Sequence, residues 1–476
     1  MYRMKEFIDN RTRLLNEVPF NLDGNYVIYW MQIFKRSQHN FALNKAVEIA
    51  NALNKPLVVY EGLKYYHPWA SDRIHTFILE GVAEKKQAFA ARGIRYLFYL
   101  QTDKQAPKNT VARLAKKAAA LITDDYPCFI IPDHNKAILK QVNIPVLIVD
   151  SNGMIPIALL PKEEFAARTI RPKIHRLLPD HSDLIRTPHL KVQHPHLELD
   201  CPETIVEADQ IPKLVAACDI DHSVPPSTFY HGGEQEAQKR LHYFIRNILP
   251  QYADLRNKPE VDGCSRLSSW LHFGFISVQE IYLAILNADA PQASKDAFLE
   301  EVIIRRELSF NFCAHNPDYQ SLKSLPDWAK KTMNQHARDE RAVTFTKEQM
   351  EQGTTTDALW NACQHELVKT GELHNYMRML WGKKMIEWSS SYESAFDLMV
   401  HLNNKYALDG RDPNSYTGIL WCFGKHDRAW GPVRPVFGTL RYLSTRSWWT
   451  KVGAREYIRN NSGIEVKKYE EAYNTG

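Results

Sequence analysis

Between residues 25 and 150 short apolar runs alternate with longer amphipathic stretches, and nothing else in the chain narrows its fold as much. "YVIYW" (26–30), "PLVVYEG" (56–62), "IRYLFYL" (94–100), "CFIIPD" (128–133) and "VLIVD" (146–150) read as buried strands. "NFALNKAVEIANAL", "RIHTFILEGVAEKKQAFAARG" and "TVARLAKKAAALIT" read as the helices between them. A βαβ series of this kind implies a parallel sheet with helices on both faces. Such a sheet has a crevice for a ligand at its switch point, but no G-x-G-x-x-G follows the first strand. The expected role is therefore a scaffold with an optional pocket, not a typical dinucleotide binder.

Prolines 179, 188, 195, 202, 212, 225 and 226 punctuate a polar stretch that reads as a connector. His189, His194 and His196 crowd there, with no thiol or carboxylate spacing to make a metal site. After 230 the strand signal gives way to helical periodicity. The expected organisation is an α/β domain over 1–178, a linker over 179–229 and an all-α domain over 230–476. A chain of 476 residues is long enough for two cores. The opening "MYRMKEFIDNRTRLLNEV" reads as a charged helix, not a signal peptide, and no apolar run has membrane-spanning length. The seven cysteines are scattered and never paired as C-x-x-C, which suits a reducing, cytoplasmic setting, or a nuclear one in a eukaryote. A net charge of +5 permits a polyanionic partner without requiring one.

Four stretches carry chemistry. In "HNYMRMLWGKKMIEW" (374–388), Arg378, Trp381, Met385 and Trp388 follow i, i+3, i+7, i+10 and share one helix stripe. The indoles and the thioether read as core, but a guanidinium among them needs an anionic partner. "GCSRLSSWLHFGFIS" (263–277) reads as a helix N-terminus, either simply capped or holding a phosphate with its amides and the Ser265 and Ser268 hydroxyls. "FLEEVIIRRELSFNF" (298–312) puts Glu301 one turn from Arg305. Either the two form a solvated ion pair, or Glu301 is a carboxyl among apolar neighbours with specific hydrogen bonds to make. "LNNKYALDGRDPNSYTGILWCFGKHDR" (402–428) is a loop whose Asp409, Arg411 and Asp412 form turns or hold a nucleotide. Beyond it, basic residues including Arg441 and Arg446 interleave with Trp430, Phe437, Tyr442, Trp448 and Trp449. That pattern suits phosphate pairing with base stacking, and equally a basic helix packed on the core.

Taken in order, "YWMQ" with "NFALNKAVEIA", "ARTIRPKI" (167–174), "SRLSSWLHFGFIS", "EEVIIRRELSFNFC", "LWNACQHELVKTGELHNYMRMLWGKKMIEW" and "LNNKYALDGRDPNSYTGILWCFGKHDR" resemble the photolyase/cryptochrome family, in particular its class II cyclobutane pyrimidine dimer photolyases. The resemblance spans nearly the whole chain. It implies reduced FAD bound in the helical half, with Tyr252, Cys264, Ser265, Arg266, Leu267 and Ser268 around its phosphates. Asn375, Arg378 and Met379 would border the isoalloxazine, Asn403 would lie near N5, and Asp409 and Asp412 along the nucleotide. Trp381, Trp360 and Trp388 would relay electrons. Glu301, protonated or sharing a proton, would hydrogen-bond the dimer. Met379 and Trp421 would pack on the flipped bases, and Arg256, Arg441 and Arg446 would hold phosphates. A second, antenna chromophore is possible, its identity unread.

Two departures stand out. Ser269 and Trp270 replace the family's proline and following aromatic, and the spacing before the arginine-proline pair in "AWGPVRPVFG" differs slightly. The implied activity is light-driven splitting of pyrimidine dimers in DNA by a monomer without membrane attachment. The alternative is a cryptochrome-like photoreceptor that does not repair; the shortness of the stretch after the basic helix favours repair.

Overall fold

The structure is a computed structural model and describes residues 4–462. By internal contacts the chain divides into two units. The first comprises Met1–Lys162, Pro172–Leu241 and Leu267–Asn287, and the second Glu163–Arg171, His242–Arg266 and Ala288–Gly476.

The first unit is built on six strands: β1 (Thr12–Leu14), β2 (Tyr26–Met31), β3 (Leu57–Lys64), β4 (Arg95–Gln101), β5 (Ala118–Asp124) and β6 (Val146–Val149). Their order across the sheet is β1-β6-β5-β2-β3-β4, all parallel except β1. β2 and β5 are buried along their whole length, as expected of central strands covered on both faces. The chain runs from β2 outward through β3 and β4, then returns to β5 and β6, so the switch point lies between β2 and β5. There the Asp124 carboxylate accepts from Tyr29 Oη at 2.7 Å and from the Gln32 and Ile33 amides at 2.8 Å each. The strand tops are thus tied together by the chain's own groups, and burial pushes the Asp124 carboxyl up.

Three readings of this half are corrected. The strand expected at 128–133 is the entry to a helix, Ile131–Ile138, with Pro132 in its first turn, where a missing N–H costs nothing. The strand belongs instead to the C-terminal half of "TVARLAKKAAALIT". Only Thr110–Ala115 is helical there, and the alanines of β5 are fully buried in a central strand of the sheet. The opening segment is not a long helix either. Asp9 Oδ1 accepts from the amides of Arg11 and Thr12, both at 2.8 Å, which ends the short 3₁₀ turn Met4–Phe7 and turns the chain into β1.

The proline-rich stretch does more than connect. Thr204 N donates to Phe98 O at 2.8 Å and its Oγ1 accepts from Leu100 N at 3.0 Å, so this segment covers the free edge of β4.

The second unit is helical. Its long helices are Ala358–Thr370, Asn375–Trp388, Tyr392–Tyr406 and Pro413–Cys422, capped in turn by Asp357, His374, Ser391 and Asp412. Ala358–Thr370 packs against Asn375–Trp388 and against Ala454–Ser462. Between Gln292–Leu299 and Arg306–His315 the chain winds as a π-helix over Glu300–Arg305. No helix among the described residues is long and apolar enough to cross a membrane. All seven cysteines are free thiols.

Candidate flavin and lesion site

The stripe of Asn375–Trp388 is as expected: Trp381, Met385 and Trp388 are buried, and Arg378 is half-buried. The anionic partner that Arg378 needs is Asp409, 31 residues further on. Arg378 Nη2 lies 3.2 Å from both Asp409 oxygens, and Nη1 lies 3.4 Å from Asn403 Oδ1. Asp409 is fixed from behind, its carbonyl accepting from Ser415 Oγ at 2.8 Å. Asn403 in turn donates to Asn404 Oδ1 at 3.3 Å. Asn404 Nδ2 is buried and has no hydrogen-bond partner among the described residues. This group of donors and one carboxylate, with an unused amide N–H beside it, suits a heteroaromatic ring system with a polar edge. Asp412, by contrast, caps its helix, accepting from Asn414 N at 2.8 Å. Asn375 is exposed and Met379 half-buried.

Behind Arg378 the indoles are linked. Trp381 Nε1 donates to Gln364 Oε1, and Trp360 Nε1 donates to the carbonyl of Trp381, each at 2.9 Å. Trp360 meets Trp388 edge-on, ring centres 5.3 Å apart at 73°. The resemblance named these three residues; periodicity alone reached only the two that share a helix.

Cys264 and His374 approach to 3.1 Å and look like a nucleophile–base pair. They are not poised as one. Burial pushes the thiol up to about 12 and the imidazole down to about 3, so both are neutral. Tyr376 N donates to His374 Nδ1 at 3.2 Å, which leaves the ring proton on Nε2, donating to the sulfur. The pair anchors the 264–266 loop to the start of the Arg378 helix. Arg266, at a positive φ of 55°, points at Glu366 and Glu372 at 3.9 and 3.8 Å. Burial raises the Glu366 carboxyl to about 6, and Tyr457 Oη donates to it. Leu267 and Ser268 fall in the first unit, where Ser268 opens the short helix Ser268–His272 without a side-chain cap.

Glu301 is the main correction. It does not pair with Arg305 and is not an isolated carboxyl. Its carboxylate pairs with Arg256 Nη2, while Arg256 Nη1 donates to Ala297 O at 2.9 Å. Arg256 also lies over the Tyr252 ring, 5.6 Å from its centre. The cause is the π turn: residues five apart, not four, are brought together, so Arg305 Nε meets Glu300 at 3.1 Å. Arg171 holds the same Glu300 through two nitrogens, at 2.6 and 3.1 Å. Arg305 lies over Trp421, 5.5 Å from the ring centre. Sequence reasoning missed Arg171, Glu300 and this use of Arg305; the adjacent glutamates of "LEEV" were the available signal.

The basic strip divides. Phe437 and Trp448 are buried, and Lys425 is buried against Glu163. Arg441 and Arg446 are exposed, Arg441 lying 4.9 Å from the centre of the Trp430 ring. The packed-helix reading accounts for Phe437 and Trp448, while Trp430, Tyr442 and Trp449 are half-buried and the two arginines are left for solvent or a polyanion.

Comparison with known proteins identifies the family of the chain. The sequence model of the DNA photolyase family matches residues 27–193. The deoxyribodipyrimidine photo-lyase of Methanothermobacter thermautotrophicus is 38% identical over 95% of this chain and 98% of its own length. Those of Arabidopsis thaliana and Potorous tridactylus are 36% and 32% identical, over 92% and 96% of this chain and 89% and 85% of theirs. A class III photolyase from Agrobacterium tumefaciens superposes with a TM-score of 0.69 at 17% identity, covering 97% of this chain and 92% of that one. The Synechocystis cryptochrome superposes at 0.71 and 14% identity, covering 96% and 92%. At such identities these two establish the fold alone. The chain belongs to the photolyase/cryptochrome family.

Proposed function

We propose that this chain is a class II photolyase that splits cyclobutane pyrimidine dimers in DNA, using light and reduced FAD. The observation that carries the reading is the Arg378–Asn403–Asp409 group backed by three linked indoles, in a chain whose relatives are deoxyribodipyrimidine photo-lyases. The unused Asn404 amide and the donors beside it suit FAD. When bound, reduced FAD would supply, on excitation by light, one electron that returns to it once the cyclobutane ring has opened, so the repair is redox-neutral overall. Arg378 and Asn403 hold the polar edge of the ring system, and the Arg378 charge favours its anionic form. Asp409 keeps that guanidinium in place. Tyr252 and the 264–266 loop would hold the phosphates, and Asn375 and Met379 would border the ring. Trp388, Trp360 and Trp381 pass electrons inward.

Flipping the dimer out of the duplex costs roughly a few kcal/mol, less where the lesion already stacks badly. In the pocket Arg256, positioned by Glu301, donates to the dimer's carbonyl edge, where charge develops during splitting. Met379 and Trp421 pack on the bases, and Arg441 and Arg446 pair with phosphates as the monomer binds.

The test is purified protein with FAD, chemically reduced and mixed with dimer-containing DNA under blue light. Loss of dimers is expected in the light and not in the dark. A protein that binds FAD yet leaves dimers intact is a photoreceptor, and one that takes up no FAD overturns the reading altogether.

A further inference from the structure

Around the π-helix three guanidiniums, Arg171, Arg256 and Arg305, face two carboxylates, Glu300 and Glu301. One positive charge is therefore left over, and the geometry says where it resides. Glu301 is taken by Arg256. Glu300 gives both oxygens to Arg171 and only one contact to Arg305, through Nε. Among the described residues the two Nη groups of Arg305 donate to nothing, and about a third of its side chain is exposed. Its guanidinium rests over the indole of half-buried Trp421, held there by the Glu300 tether. Trp421 also meets His426 edge-on, ring centres 6.5 Å apart. Burial drives the His426 imidazole down to about 4, so it adds no competing charge. The result is a flat cation backed by an aromatic ring, with a row of unused donors, one helical turn from Glu301.

We infer that Arg305 is a lesion-contacting residue: its guanidinium plane, backed by Trp421, carries one pyrimidine of the flipped dimer and presents Nη donors to that base's carbonyl oxygens. Guanidinium planes stack on unpaired bases, and a tethered one has little conformational freedom to lose. The position also places a fixed positive charge where negative charge grows on the dimer during ring opening. The inference rests on the repair reading proposed above.

Binding of one oligonucleotide with and without a single pyrimidine dimer tests it, measured in the dark for the FAD-loaded wild type, Arg305→Met and Arg305→Lys. Met keeps the bulk and removes plane and charge; Lys keeps the charge alone. Affinity of Arg305→Met for the dimer-containing strand is expected to fall about tenfold, with undamaged DNA bound as before. Arg305→Lys should fall between. Equal losses on both DNAs would make Arg305 a backbone contact and overturn the inference, as would unchanged discrimination. If Arg305→Met loses FAD or melts early, the Lys variant decides by the same comparison. A wild type that cannot tell the two DNAs apart removes the repair reading itself; discrimination that survives in both variants removes only the role of Arg305.

Discussion

Arg256 and Glu301 form a partly exposed pair whose two halves have different work to do. As a structural ion pair it contributes roughly 0.2–1 kcal/mol, so breaking it should barely move the melting temperature. Glu301→Ala is expected to keep FAD and stability yet lose most of the repair yield per absorbed photon, because Arg256 loses the anchor that aims it. Glu301→Gln, which still accepts one hydrogen bond, should lose less. Unchanged yield in Glu301→Ala would make the pair purely structural. Glu366 allows a pH test of the buried cluster behind the 264–266 loop. Its folded carboxyl titrates near 6 against an ordinary 4.5 because burial disfavours the charge. The stability it contributes is fully present below about 4.5 and is lost as pH rises through 6, amounting to about 2 kcal/mol. Glu366→Gln should therefore flatten the decline in stability between pH 4.5 and 8. Parallel pH profiles for the two proteins would contradict the assignment.

At the scale of elements, the π turn over Glu300–Arg305 decides which glutamate meets which arginine. Deleting Val302 restores α-helical phasing, which leaves Glu300 and Arg305 four residues apart and still facing, while the turn that presents Glu301 to Arg256 is lost. The expected result is an unchanged far-UV circular dichroism spectrum with loss of preference for dimer-containing DNA; retained preference would mean the turn is incidental. Helix Ala358–Thr370 makes the other prediction. Trp360 bridges its neighbours, touching the Trp388 ring and donating to the Trp381 carbonyl. Trp360→Phe should abolish photoreduction of oxidised flavin while chemically reduced protein still repairs. Joint loss of FAD binding and photoreduction would instead mark Trp360 as packing. What the sequence disclosed follows from where its signals are local. The Arg378 stripe was legible because 3.6-residue periodicity is set within one helix. Its partner Asp409 was not, since a loop decides what it reaches. The Glu301–Arg305 spacing misled because i,i+4 contact presumes α-helical winding. β5 was hidden by alanines, whose helix propensity is overridden in a fully covered central strand. "CFIIPD" looked like a strand because of its apolar, β-branched run, of which Cys128 and Ile131 are buried, though as a helix entry.

For the whole molecule, a net charge of +5 becomes informative once exposed arginines are placed. Binding to DNA should weaken steeply with salt, and Arg441→Ala and Arg446→Ala should lower affinity for damaged and undamaged DNA by similar factors. Loss confined to damaged DNA would move either residue into the lesion pocket. The discontinuous make-up of the first unit has a consequence for the chain's birth. β1 at Thr12–Leu14 needs β6, and the unit it belongs to is not complete until Asn287 has been added. At about 5–20 residues per second, roughly 14–55 s of synthesis separates the first strand from the last segment of its own unit. On the ribosome the sheet's centre can therefore close around β2, β3 and β5 while β1 waits at its edge, and vectorial folding proceeds from the middle of this unit outward.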